Sequence, residues 1–249
     1  MRWYKADLHI HSVLSPCGSL EMSPRALMPI VKAAGLDIIA ITDHNSVANC
    51  LAYQEVAKEF GIILLYGVEV QSAEEVHCIV LFDEWQQADD FAAELYNTLL
   101  PIANDPEYFG DQVVINAKEE IVRFEERALI NSSMWSYDQM VEQAVMHSGF
   151  IYPAHVDAVS YSIIGQLGFV PQQDDIFALG LTAKCVLEDF LAQNEYLKGY
   201  TFIQNSDAHY LNQLGSAYSE FYLEAPTVKE IKQACLKQAG RMIRLPQKK

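Results

Sequence analysis

The sequence predicts an α/β barrel, a ring of parallel strands wrapped by helices. Two observations carry this. Strand-length runs rich in β-branched residues alternate with amphipathic helical segments, and about seven such units are enough to close a sheet into a barrel.

Residues 5–10, KADLHI, form the first short strand. The helix over 22–35 begins at Ser23-Pro24, because the fixed φ of proline suits the first helical turn, and stops at Gly35. LDIIAITDH (36–44) is a buried strand, 47–61 is a helix ended by Gly61, and IILLYGVEV (62–70) is the third strand. VHCIVLF (76–82) gives a fourth strand after a tight connection, and a helix follows over 86–102. From 103 to 135 the alternation fades into an inserted segment, with a short hairpin and a charged helical piece, KEEIVRFEERALI (118–130). The rhythm resumes with a helix over 136–149, strands over 150–155 and 176–183, a helix over 185–193, strands over 201–209 and 220–225, and a last helix over 227–240. No linker divides the chain, so residues 1–249 are expected to form one domain.

A hydrophobic content of 51% in 249 residues is enough for a large core. No long run of like charge occurs apart from the short Lys248-Lys249 end. The N-terminal stretch MRWYKADLHI lacks the apolar region of a signal peptide, and no run of about 18 apolar residues is long enough to span a membrane. A soluble, cytoplasmic protein is expected. The five cysteines are scattered without CxxC spacing, which fits a reducing compartment and neither a disulfide framework nor a cysteine zinc knuckle. A formal charge of −16 repels polyphosphate and argues against a nucleic-acid polymer as partner, while leaving room for a small phosphorylated substrate. Part of that charge can surround bound cations. The sequence does not specify an oligomeric state.

The histidines carry the chemistry. Of the seven, His9, His11, His44, His77, His155 and His209 fall on expected strands or just beyond them, mostly at C-terminal ends, and His147 alone sits in a helix. Barrel enzymes build their sites at that rim, so these six would converge together with Glu69 and Asp207. Each motif alone has a structural reading. His9-x-His11 could be hydrogen-bonded core, Asp43 or Thr42 of TDH could cap the next helix, and His77 and His155 could be satisfied interior histidines. Glu69 in a buried strand is costly unless paired or metal-bound. Jointly, imidazoles and carboxylates in this number exceed the four donors of one tetrahedral ion, which implies two or three ions of zinc, manganese or iron.

The motifs DLHIHS, GLDIIAITDHNS, GVEV followed by a histidine, PAH and NSDAH resemble the successive metal motifs of the PHP (polymerase and histidinol phosphatase) superfamily, in order and over residues 7–209. The resemblance implies a distorted (β/α)7 barrel and phosphoesterase chemistry. It further implies that His9, His11, Glu69 and Asp207 hold one ion, that Glu69 bridges to a second held by His77 and His155, and that His44 with His209 helps hold a third. Members commonly carry His or Asp near position 17, where this chain has Cys17. A thiolate is a softer ligand, and an inert small residue in a Pro-Cys-Gly turn is the other reading.

The expected reaction is hydrolysis of a small phosphate monoester, a histidinol-phosphate-like compound, a nucleotide or a sugar phosphate, by metal-bound hydroxide, with His209 or His44 as possible proton donor. Arg127, with Lys118 and Arg123, could contact the phosphate, although acidic neighbours can pair with them. Asp157, Ser160 and Tyr161 follow His155 closely enough to line the mouth. The alternatives are a metal-dependent amidohydrolase, which also opens with HxH, and a non-catalytic metal-binding module.

Overall fold

The structure, a computed structural model, describes residues 1–246; Lys248 and Lys249 lie outside the described residues. In chain order the elements are β1 (Arg2–Ile10), α1 (Pro24–Ala33), β2 (Ile38–Ile41), α2 (Cys50–Glu59), β3 (Ile63–Gln71), β4 (His77–Phe82), α3 (Trp85–Thr98), α4 (Pro106–Phe109), β5 (Val113–Ile115), β6 (Ile121–Phe124), α5 (Tyr137–Met146), β7 (Phe150–Pro153), α6 (Ile163–Leu167), β8 (Ala178–Leu181), α7 (Leu187–Gln193), β9 (Thr201–Gln204), β10 (Ser219–Leu223), α8 (Val228–Cys235) and β11 (Met242–Arg244). Among the described residues no helix is long and apolar enough to cross a membrane.

The expected α/β architecture is present as a curled wall of strands. β1, β2 and β3 pair in parallel. β4 departs from the parallel expectation and folds back on β3 as an antiparallel hairpin running from Gln71↔His77 to Tyr66↔Phe82. The physical reason is length: residues 72–76 are too few for a crossover, which needs about a dozen. β7 pairs antiparallel with β4 and so runs with β1–β3 again, and β8 pairs with β9 in parallel. Val156 N donates to Gly180 O at 2.8 Å beyond β7, and His11 N donates to Ala208 O at 3.0 Å beyond β9, so the wall β1-β2-β3-β4-β7-β8-β9 turns back onto β1. β10 and β11 extend antiparallel from the first half of β1, outside the barrel rhythm.

Period-two alternation divides the strand side chains between two apolar layers. Ile38, Ala40, Leu65, Ile79, Leu81 and Ile203 fill the inside of the wall, and Val228, Ile231 and Ala234 of α8 join this layer. Ile39, Ile41, Val68, Val70 and Val80 belong to the outer layer with α1, α2, α3 and α5. Gly67 sits where the inner layer is tightest: a Cβ there would lie 2.7 Å from Thr42 Cγ2 and 3.0 Å from Ile41 O. Thr227 caps α8 by accepting from Glu230 N at 3.2 Å, and Asp83, distant in sequence, completes the N-terminus by accepting from Val228 N at 2.6 Å and Lys229 N at 3.2 Å.

The inserted segment contains the expected hairpin, β5 with β6, but the charged piece 118–130 is not helical. Asn116 Oδ1 accepts from Lys118 N and Glu120 N, which closes a turn, and Glu119 takes a left-handed φ of 65°. Ile121 and Val122 then favour the strand. The short α6 and β11 carry no sequence signal of comparable strength.

Candidate metal centre

The same alternation that fills the core aims the candidate ligands. Leu65, Gly67, Glu69 and Gln71 share the inward parity of β3, so Glu69 stands inside the wall, 1% exposed. In β4 the inward set is His77, Ile79 and Leu81. Because β4 runs backwards, its first residue lies at the same rim as the last residues of the parallel strands. β1 needs a correction of parity: Leu8 belongs to the inner layer and Ile10 to the outer, and pairing with β2 shifts between Asp7 and Ile10. That irregularity turns His9 and His11 inward, a common use of a bulge beside a site. His155 and Asp207 lie just beyond β7 and β9 with left-handed φ of 32° and 52°, backbone strain held at the site.

Around Glu69 the candidate donors crowd together. Glu69 Oε1 lies 3.0 Å from His77 Nδ1 and 3.3 Å from both His9 Nε2 and His155 Nε2, and Oε2 lies 3.1 Å from His44 Nδ1 and 3.4 Å from His11 Nε2. Asp207 Oδ1 is 3.2 Å from both His9 Nε2 and His11 Nε2, which are 3.1 Å apart. His44 Nε2 lies 3.2 Å from Cys17 Sγ, and His209 stacks on His11 with ring centroids 4.0 Å apart. Bonds of about 2.1 Å to one ion place neighbouring donors about 3.0 Å apart in an octahedron and about 3.4 Å apart in a tetrahedron, the spacing seen here.

Donor accounting tests whether a cation fits. Ser15 Oγ gives its proton to Asp43 Oδ1 at 2.6 Å, so it accepts from His11 Nδ1 at 2.9 Å. His11 Nε2 is then a bare lone pair facing the lone pairs of two carboxylates, an arrangement that calls for positive charge between them. The electrostatics agree. Burial works against charge on Glu69, but His77, His9 and His44 outweigh it and hold its carboxyl well below the usual range. Burial and His209 push His11 down to about 4, and burial lowers His44 well below its ordinary value. Burial opposes a charge on His9 too, yet Asp207 and Glu69 prevail and raise it to about 9, so a proton takes the place of a cation. Burial and then Glu69 push the Cys17 thiol far up. The chemistry and spacing of this donor set fit divalent transition metals.

Several supporting residues escape sequence reading. Asp43 caps no helix; it accepts from Ser12 N, Ser12 Oγ and Ser15 Oγ and so holds His11 through Ser15. Thr42 likewise caps nothing, its Oγ1 accepting from Ile10 N at 3.2 Å. Gln71 Oε1 lies 3.0 Å from His77 Nε2. Asn45 Nδ2 donates to Leu129 O and Asn131 O and ties the inserted segment to the rim. The inward parity of Gln71 was the one available signal; the others depend on contacts distant in sequence.

All the ligand candidates but His9 and His11, which lie beneath, line a cleft of about 310 Å³, with Ile130, Ser160, Tyr161 and Thr182 among its other walls. A larger groove of about 590 Å³ runs along β9 and is lined by none of the candidate ligands. Arg127 is not brought to the cleft: its guanidinium lies over Tyr96 and donates to Tyr96 O at 2.7 Å. Arg123 pairs with Glu125, and Lys118 sits in the Asn116 turn. Asp157 stands one step back, accepting from Thr182 N and Thr182 Oγ1, and so fixes a residue of the cleft wall.

The PHP domain family profile matches residues 7–165. An uncharacterized protein of Methanocaldococcus jannaschii is 35% identical over 79 residues, 28% of this chain and 46% of that protein. A lesion-specific endonuclease from Pyrococcus furiosus, endonuclease Q, superposes with TM-score 0.66 at 19% identity over 97% of this chain and 57% of its own. A protein from Bifidobacterium adolescentis described as a metal-dependent phosphoesterase superposes with TM-score 0.55 at 18% identity over 82% of this chain and 87% of its own. The chain thus spans about half the length of the first two. The likeness to the solved structures speaks for the fold. It also corrects one expectation: net charge does not set nucleic-acid polymers aside, because endonuclease Q has been solved with a 27-mer duplex carrying an abasic lesion at its active site. Net charge sums a whole surface, whereas cations in a cleft reverse the local field.

Proposed function

The chain belongs to the PHP domain family, and from that premise we propose that it is a metal-dependent phosphoesterase whose substrate enters the cleft by a phosphate ester at a molecular end. One observation carries the reading: His9, His11, His44, His77 and His155 crowd around the buried carboxylate of Glu69, with Asp207 against His9 and His11, at donor–donor spacings that suit shared cations. His9, His11, Glu69 and Asp207 would hold one ion, and Glu69, His77 and His155 a second. Such ions lower the pKa of water towards about 7 and neutralise charge developing on phosphoryl oxygens.

The chain's own residues do the positioning. Asp43 and Ser15 keep His11 in one tautomer with Nε2 turned inward. Glu69, fixed by its place in β3, is shared between the two donor sets. Asp157 holds Thr182 at the wall, and Tyr161, stacked on His77 at 4.8 Å, presents a flat apolar face beside the site. With His44 and His209 engaged as donors, solvent admitted by the open cleft protonates the leaving oxygen. A volume of about 310 Å³ takes a phosphate and a small leaving group, which supports a small monoester or the end of an oligonucleotide.

The test is a substrate panel offered to the protein loaded with Mn²⁺ or Zn²⁺: sugar, nucleotide and amino-alcohol phosphates, phosphorylated oligonucleotides, a duplex with an abasic site, and a cyclic amide. Cleavage of at least one phosphate ester is expected, abolished by chelation and reduced by at least about 100-fold in Glu69→Gln. Turnover of the cyclic amide with no ester cleaved overturns the reading in favour of an amidohydrolase.

A further inference from the structure

We propose that Cys17 binds as a thiolate and makes the outer donor set, Cys17, His44 and His209, a site for a thiophilic cation such as zinc, cobalt or ferrous iron rather than manganese or magnesium. This rests on reading the cluster as a metal centre, and not on which ester is cleaved.

Donor atoms of these three residues and of His11 all lie within 4.8 Å of one another, and His11 is left to the inner set, its Nδ1 on Ser15 and its Nε2 facing Glu69 and Asp207. Two imidazole nitrogens and one sulfur make a soft set with a fourth position open to solvent, whereas the donors around Glu69 and Asp207 mix imidazole with hard carboxylate oxygen. His44 joins the two sets: Nε2, the nitrogen free to ligate, is 3.2 Å from Cys17 Sγ, and Nδ1 faces Glu69 Oε2 at 3.1 Å.

Cys17 is exposed as a residue, yet the turn that carries it is pinned on both sides. Ser15, whose Oγ meets His11, accepts from Gly18 N at 2.9 Å, and Ser19 N donates to His209 O at 2.9 Å. A Cβ at Gly18 would lie 3.0 Å from Ser12 O, so the Pro-Cys-Gly turn is tight because of the glycine. The sulfur is therefore carried by a segment anchored to its partner His209 and, through Ser15, to His11 of the inner set. The charges nearest to it are Glu69, Asp207 and Asp43. These are negative and oppose a thiolate, which a bound cation would stabilise; on binding, the thiol releases its proton to solvent and the sulfur lone pair goes to the metal.

The experiment is Co²⁺ titration of chelator-treated full-length protein, read by absorption and by elemental analysis. The wild type is expected to develop a near-ultraviolet sulfur-to-cobalt charge-transfer band. Cys17→Ser should lose that band and one bound ion while keeping the visible bands of the remaining sites. Cys17→Asp should restore the ion without the band and shift the outer site's preference from Zn²⁺ towards Mn²⁺. A wild type that fills with cobalt but shows no charge-transfer band, or a Cys17→Ser protein with unchanged stoichiometry and preference, overturns the proposal and leaves Cys17 as a thiol hydrogen-bonded to His44. Because these readouts need no turnover, a charge-transfer band without phosphate release, or release without the band, separates failure of one reading from failure of the other.

Discussion

Glu69 is the residue on which the site turns, since it is buried and both its oxygens meet imidazole nitrogens. Its partners depend in turn on residues that are not themselves ligand candidates. Asp43→Asn keeps the shape but weakens acceptance from Ser15, and Ser15→Ala removes the link to His11 Nδ1. Each is expected to weaken binding of the ion at His11 by about 10- to 100-fold, measured by competition with a chromophoric chelator. An unchanged affinity in both variants would mean that His11 is oriented by its strand alone. Removing the metals entirely should lower the melting temperature, because an ion held at 100 times its Kd stabilises the folded state by about 2.7 kcal/mol. Differential scanning with and without chelator reads this.

At the scale of elements, the reversed strand β4 and the helix α8 do the most to build the site. β4 brings His77 to the rim only because it runs against its neighbours, and its other end supplies Asp83 to cap α8 under the inner layer. Asp83→Ala should cost about 0.5–2 kcal/mol of stability in denaturant unfolding, the usual loss for a helix cap, with metal stoichiometry intact. Gly67→Ala overfills the inner layer against Thr42 and Leu81 and is expected to destabilise by about 1–3 kcal/mol by the same measurement. A variant as stable as the wild type would show that β2 and β3 can part more easily than the packing implies. The hairpin β5–β6 acts differently, through the 128–133 stretch that Asn45 and Gln71 hold over the cleft.

For the whole molecule the governing quantity is the charge of −16. It does not forbid a nucleic-acid substrate, but it sets how one approaches. Attraction of polyphosphate to Lys and Arg normally makes binding fall steeply with salt. Here the long-range field opposes association, so kcat/KM on an oligonucleotide is expected to rise between low salt and about 0.15 M, where the screening length is about 8 Å, and to change much less for a small monoester. Steady-state kinetics across that range decide it. A steep fall with salt would instead reveal a basic track that neutralises the strand.

What was legible in the sequence is what short-range pattern encodes. The β/α rhythm follows from apolar periodicity and glycine or proline punctuation, and the ligand candidates follow from histidines recurring at strand ends. The charged segment 118–130 misled because its composition suits a helix while the Asn116 turn and a strand partner make it β6. Tertiary structure alone decided three things: the shift in β1 that turns His9 and His11 inward, the Asp43–Ser15 support behind His11, and the absence of Arg127 from the cleft. Each depends on which residues meet across tens to hundreds of positions, and local propensity does not carry that information. Sequence by itself determined the set of donors this chain possesses; the curl of the wall decided which of them share one small volume, and the pinned Pro-Cys-Gly turn put a sulfur among them.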